Sequence, residues 1–190
     1  MAVVQLASAS DVAEVLGRAL TSEEIVRVEP ILDKASELFR RESGQQFTAG
    51  ESENRLRVRD GDTVYLPQNP VVSVEVLTDD DGNDLTYTRY KQAVTLDSAG
   101  PSWVRVEYTH GGDVPDLVRL AVAEIGAVVL RIDSDAQAGK TQVGETTGPF
   151  SQQASYAAWA LGGATRLSPE DTALARSFRN PWRQIVSMGA

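Results

Sequence analysis

Apolar residues recur first at helical spacing, then alternate with polar ones, then return to helical spacing over a longer and more apolar run. Val12, Val15 and Leu16 form a short apolar face behind Ser8 and Asp11, an N-cap and N3 pair. Gly17 is a natural stop, so the pattern predicts a helix over 9–16. Thr21 and Glu24 form a second capping box, followed by Ile25, Val28, Leu32, Ala35 and Phe39, with Ile31 and Leu38 widening the stripe. This predicts a helix over 22–43, with Arg40 and Arg41 at its negative pole and Gly44 at its end. Pro30 lies inside that pattern. It lacks a backbone donor and crowds the preceding turn, so a kink or break is expected there.

From about 54 to 110 the period is two. Val72, Val74 and Val76 alternate with Ser73 and Glu75, and Val104, Val106 and Tyr108 alternate with Arg105 and Glu107. The run Asp79-Asp80-Asp81-Gly82-Asn83-Asp84 is turn chemistry between Val76-Leu77 and Leu85–Thr88. A further hairpin is expected around Asp60-Gly61, joining Arg55–Arg59 to Val64–Leu66, with Pro67 and Pro70 breaking the chain beyond it. Strands with one polar face belong to a small antiparallel sheet.

A helix over 115–133 follows, opened by Pro115. Leu117, Val118, Leu120, Ala121, Val122, Ile125 and Ala127–Leu130 leave little of it polar. A helix apolar nearly all round is buried on most sides. With few elements to cover it, a place in or near a subunit interface is expected, through Val118, Val122, Ile125 and Val129. The alternative is that it is the centre of a monomeric helix cluster. Residues 134–163 are rich in Ser, Ala, Gln, Thr and Gly, too polar to bury a core alone, and read as an arm with isolated Phe150, Tyr156, Trp159 and Leu161. Ser168-Pro169-Glu170-Asp171 then starts a terminal helix over 169–179, in which Arg176, Arg179 and, beyond it, Trp182 and Arg183 make the tail locally basic.

Composition narrows the function. Hydrophobic residues make up 42%, ordinary for a globular chain, and the absence of cysteine removes disulfides and thiolate metal sites. No apolar run approaches the roughly 20 residues that cross a bilayer. The first residues lack a basic n-region and reach Asp11 quickly, reading as mature protein made in the cytoplasm. A net charge of −9 argues against a sequence-reading DNA binder, which needs a basic surface.

The chemical motifs fail on inspection. Gly139-Lys140-Thr141 ends like a phosphate-binding loop, but Ser134 stands where its first glycine belongs and a helix, not a strand, precedes it. Asp79, Asp81 and Asn83 imitate a calcium loop, whose sixth and twelfth positions are here Asp84 and Tyr90 instead of Gly and Glu. His110 is the only histidine and reads as a turn residue beside Gly111-Gly112; Glu124, on the apolar helix, reads as an arginine partner. No catalytic, cofactor or metal residue is expected, and an enzyme using carboxylates is disfavoured for want of a spaced catalytic set.

Four passages carry a resemblance over about residues 10–135: Ala35-Ser36-Glu37-Leu38-Phe39-Arg40 with Gly44-Gln45-Gln46-Phe47; Val64-Tyr65-Leu66-Pro67 leading to Pro70-Val71-Val72-Ser73-Val74; Trp103–Gly112; and Val114-Pro115-Asp116-Leu117-Val118. In that order they resemble the head–tail adaptor (connector) family of long-tailed bacteriophages and related gene-transfer particles. The resemblance implies a structural virion protein of the neck, made in the bacterial host. It forms a ring, usually of twelve subunits, beneath the portal, encloses DNA without sequence-specific binding, and presents a surface to a stopper or tail-completion protein. No membrane is implied. Members use a C-terminal segment to grip the portal, which points to Phe150, Tyr156, Trp159, Phe178, Arg179, Trp182 and Arg183. Asp79, Asp80, Asp81 and Asp84 are candidates for the channel or the next neck protein. A stopper or tail-completion protein, or a non-viral binding module, stays open as an alternative. The expected fold is mainly α with a β insertion (α+β): a helical-bundle core over 1–135, carrying a small antiparallel sheet with hairpins, and an extended C-terminal arm over 136–190 ending in a short helix.

Overall fold

A computed structural model of the protein describes residues 4–97, 100–132, 142–147, 150–155 and 164–180. The fold is α+β. Its described helices are α1 (Ala9–Leu16), α2 (Ser22–Ser43), α3 (Asp116–Arg131) and α4 (Pro169–Ser177). Its strands are β1 (Gly50–Arg57), β2 (Thr63–Tyr65), β3 (Val71–Thr78), β4 (Tyr87–Tyr90), β5 (Ala93–Leu96), β6 (Trp103–His110), β7 (Gln142–Thr147) and β8 (Phe150–Ser155). The chain forms two compact units, residues 1–42 with 115–175 and residues 43–114 with 176–190, so each unit draws on both sides of residue 135.

In the helical unit, local capping sets the helix starts. Asp11 N donates to Ser8 Oγ at 3.3 Å and Ser8 N donates to Asp11 Oδ2 at 2.7 Å, while Gly17, at φ 69°, closes α1 in the left-handed region. Thr21 and Glu24 repeat the reciprocal pair for α2, and Ser168 and Asp171 for α4. The Arg18 guanidinium, 2.7 Å from Glu24, and the Thr21 backbone N–H hold the Glu24 carboxyl down at about 2. α2 runs unbroken through Pro30, against the expected break. Pro30 and Val26, whose carbonyl loses its helical partner, both lie on the exposed side, where a backbone oxygen need not be buried unpaired. The opposite side buries Val28, Ile31, Leu32, Ala35 and Phe39.

α3 is the centre of this unit. Nine of its sixteen residues are buried. A Cβ placed on Gly126 would lie 3.1 Å from Val12 Cγ2 and 3.3 Å from Leu32 Cδ2, so α3 comes close to both α1 and α2 there. Arg119 ties α3 to α1 through an ion pair with Asp11 and also bonds Asp116. Burial alone would raise the Asp11 carboxyl, but hydrogen bonds from the Ser8 hydroxyl and backbone N–H, with Arg119 beside it, bring it below its ordinary value.

The second unit has a core of its own. β1, β6 and β3 form one antiparallel sheet in that order, and β2, β5 and β4 a second. Leu56, Val64, Leu66, Leu77, Val94, Leu96, Val104, Val106 and Tyr108, drawn from both sheets and the segment after β2, form one cluster. The expected hairpin about Asp60-Gly61 reduces to a single bridge between Arg59 and Thr63, because β1 takes its ladder from β6 and β2 from β5. The Asp79–Asp84 turn is present: Asp79 Oδ1 accepts from the N–H of Asp81 and Asn83, at 3.0 and 2.8 Å. His110 is the last residue of β6 and only 3% exposed, so Gly111 and Gly112 make the turn and His110 does not. The stretch expected to be a plain arm contains an antiparallel pair, β7 with β8, running from Thr147 opposite Phe150 to Gln142 opposite Ser155. Polarity keeps such a segment from building a core, but a two-strand ladder satisfies its own backbone without one.

Candidate assembly surfaces

Because α3 is packed by its own unit, Val118, Val122, Ile125 and Val129 are between 0% and 4% exposed. The subunit contact expected from them is corrected accordingly: they are core, and the row that α3 offers to solvent is Leu117, Leu120, Glu124 and Val128. Helical spacing supplies both rows, and only the position of α1 and α2 decides which is inside.

One end of the outward row opens on a groove of about 240 Å³. Ile125, Val128, Val129 and Ile132 give it an apolar floor, and Glu124, Arg166, Glu170 and Asp171 a charged rim. That volume falls below the roughly 300–1,000 Å³ of pockets for drug-sized ligands, so the groove suits a side chain better than a cofactor. Asp171 is already engaged with Ser168, the cap of α4.

The outer face of the β1–β6–β3 sheet is segregated by charge. Alternation along the strands puts Leu56, Val104, Val106 and Tyr108 inside and Glu51, Glu53, Arg55, Arg57, Arg105 and Glu107 outside. Glu53 stands directly opposite Glu107, and Arg55 directly opposite Arg105. Glu51, Glu53, Glu75 and Glu107 line an open depression at the acidic end. At the basic end Arg55 meets Asp80 at 2.6 Å and lies 5.0 Å over the Trp103 ring. Among the described residues no group of three or more His, Asp or Glu is arranged to hold a metal ion. The period-two stretch expected from about residue 54 leaves out half of this face; the alternation in Glu51-Ser52-Glu53-Asn54-Arg55-Leu56-Arg57 is the signal that carries it.

His110 and Ser52 meet inside the same unit, Nε2 to Oγ at 2.9 Å. Among the described residues His110 Nδ1 has no hydrogen-bond partner, and burial lowers the pKa of the ring from its ordinary value. His110 is buried and Ser52 half-buried, and among the described residues no carboxylate bonds the imidazole to orient it as a base, as a catalytic triad requires.

No family model and no curated protein matches the chain. Among solved structures, one chain from the neck of an empty GTA (gene transfer agent) particle, computed with C6 symmetry, is 17% identical with a TM-score of 0.43. The match covers 66% of this chain and 79% of that one. Another, from the neck of a native GTA particle computed with C12 symmetry, is 16% identical with a TM-score of 0.42, covering 67% and 80%.

Phe178 packs edge-on against Phe47, ring centroids 5.5 Å apart, so its ring is engaged within its own unit. Arg179 is exposed and its N–H donates to Arg176 O, and Asn180, 5% exposed, donates to Leu66 O at 2.9 Å. Phe150 begins β8. Tyr156, Trp159, Trp182 and Arg183, like Gly139-Lys140-Thr141, lie outside the described residues. Of the acidic turn, Asp79 is consumed by the turn itself and Asp80 by Arg55, leaving Asp81 and Asp84 exposed. Hydrogen bonds from the Asn83 side chain and backbone hold Asp79 below its usual range, and the Arg55 hydrogen bond does the same for Asp80.

Proposed function

We propose that this chain is a structural head–tail adaptor of a phage-type neck. It assembles as a ring, of twelve copies in the virion, against the portal protein and encloses DNA without reading it. The observation that carries the reading is the discontinuous layout. The chain leaves a capped helical unit after α2, builds a separate two-sheet unit over 43–114, and returns through Val114-Pro115 to the central helix α3. The four passages that resemble the adaptor family fall on the joints of this layout: the buried side of α2 and its exit, the β2-to-β3 link, β6 with its double-glycine turn, and the opening of α3.

The chemistry the role asks for is modest. A ring needs two different faces on each subunit, and the α3 row Leu117, Leu120 and Val128 supplies apolar material for one. A net charge of −9 and the exposed Asp81 and Asp84 suit a wall past which DNA moves without sticking, or a contact to a stopper or tail-completion protein. Portal binding is assigned to the C-terminal residues Phe150, Tyr156, Trp159, Arg179, Trp182 and Arg183, aromatics and arginines being the residues that dominate interface energetics. Removing everything after Asp135 would also strip Ala175, Phe178 and Asn180 from the chain's own packing, so point substitution is the cleaner test. Trp182→Ala is expected to weaken portal binding about tenfold or more, with thermal unfolding unchanged. Unchanged affinity, read by titration against immobilised portal, removes the terminal segment from the contact.

A further inference from the structure

The two edges of the β1–β6–β3 sheet differ. Along β3, side chains from β4 occupy the outward carbonyls: Arg89 donates to Val71 O and Val72 O at 3.0 and 3.3 Å, and the Tyr87 hydroxyl donates to Val74 O at 3.1 Å. Along β1, no strand pairs with the second edge among the described residues. An unpaired edge eight residues long is a template for another strand, and proteins block such edges with bulges, prolines or charge that repels a copy of itself. β1 has no proline, its ladder with β6 runs without a register shift, and its charge does not repel a copy.

The four exposed charged positions of β1 read Glu51, Glu53, Arg55 and Arg57, an antisymmetric order about Asn54. We propose that β1 is a self-recognition edge, through which two copies of this chain pair antiparallel about a two-fold axis at Asn54 and join their sheets into one. In that register Glu53 of each copy faces Arg55 of the other, and Glu51 faces Arg57, so every exposed charge on the strand meets its opposite. A shift of two residues sets Glu53 against Glu53 or Arg55 against Arg55, and a shift of one turns the buried face outward, so the register is unique. The single chain leaves a cost that this pairing relieves. Glu53 lies beside Glu107 and Arg55 beside Arg105 within the sheet, and like charges directly opposite one another are unfavourable. Glu51, Glu53 and Arg57 have no ion-pair partner among the described residues. The contact is isologous and concerns the free chain; it stands apart from the neck reading, whose ring needs a different, head-to-tail surface.

The test is sedimentation equilibrium of the full chain over a range of concentrations, at low and at high salt. The mass is expected to rise from one chain to two, with the dissociation constant increasing at least tenfold at high salt, where exposed ion pairs are screened. Glu51→Arg with Glu53→Arg is expected to stay monomeric, as is Arg55→Glu with Arg57→Glu, each with circular dichroism like the parent. An equimolar mixture of the two restores dimers, because the strands are again complementary. Arg57→Glu alone, at a position without an ion-pair partner, gives the same direction without disturbing the Arg55–Asp80 pair. A chain monomeric at every concentration overturns the proposal, as does a dimer indifferent to salt and to all three variants. An edge that gains hydrogen-exchange protection only when another protein is added belongs to a foreign strand, which also overturns it.

Discussion

Replacing Gly111 by alanine is expected to cost roughly 4 kcal/mol or more, the range reached by only a few kinds of substitution. Gly111 sits at φ +79°, where a Cβ is strained before any neighbour is considered. The neighbours decide the size of the effect. That Cβ would lie 2.0 Å from Thr48 O, 2.4 Å from Thr48 C and 2.9 Å from Ala49 N. These are backbone atoms, unable to swing aside as a side chain would. Both strands are fixed from the other side: Gly112 bridges to Thr48, and Gly111 N donates to Pro70 O at 2.9 Å. The substitution therefore pushes apart the start of β1 and the exit of β6 where the chain leaves the sheet unit. Urea unfolding reads the outcome: a midpoint far below the parent's, or loss of soluble protein, is expected, and a midpoint within error of the parent's would show that Thr48 is not held there.

Phe39→Ala is the second large effect, expected at about 3–5 kcal/mol from lost burial and the cavity left behind. Phe39 is 0% exposed and ends the inward row of α2 after Val28, Leu32 and Ala35. Ile25→Ala on the same helix is the control. Ile25 is 54% exposed, so its loss is expected to stay within about 0.5 kcal/mol. Equal losses at the two positions, measured by chemical denaturation, would mean that α2 faces the other way.

What the sequence discloses here follows the range of the forces involved. Helix starts depend on residues three apart, so Ser8 with Asp11, Thr21 with Glu24 and Ser168 with Asp171 were legible and are found bonded. The Asp79 turn is local in the same sense. Strand partners are not local. Nothing near Asp60-Gly61 announces that β1 pairs with a strand about fifty residues on, and a hairpin was the natural local reading. Pro30 breaks an isolated helix, whereas here the apolar row from Val28 to Phe39 holds α2 together across it. α3 was legible as buried but not by what. Its composition serves an interface and a core equally, and the closeness of Gly126 to Val12 and Leu32 is visible only once the three helices are packed. Phe178 looked like a docking anchor because its partner, Phe47, lies far back in the chain.

The neck reading is tested most directly by the mass of what forms when the intact chain is mixed with its cognate portal, measured by light scattering. A stable complex near one chain per portal subunit is the predicted result. No association with the portal, or association with a tail-tube protein instead, would contradict it and turn the assignment to a stopper or tail-completion role.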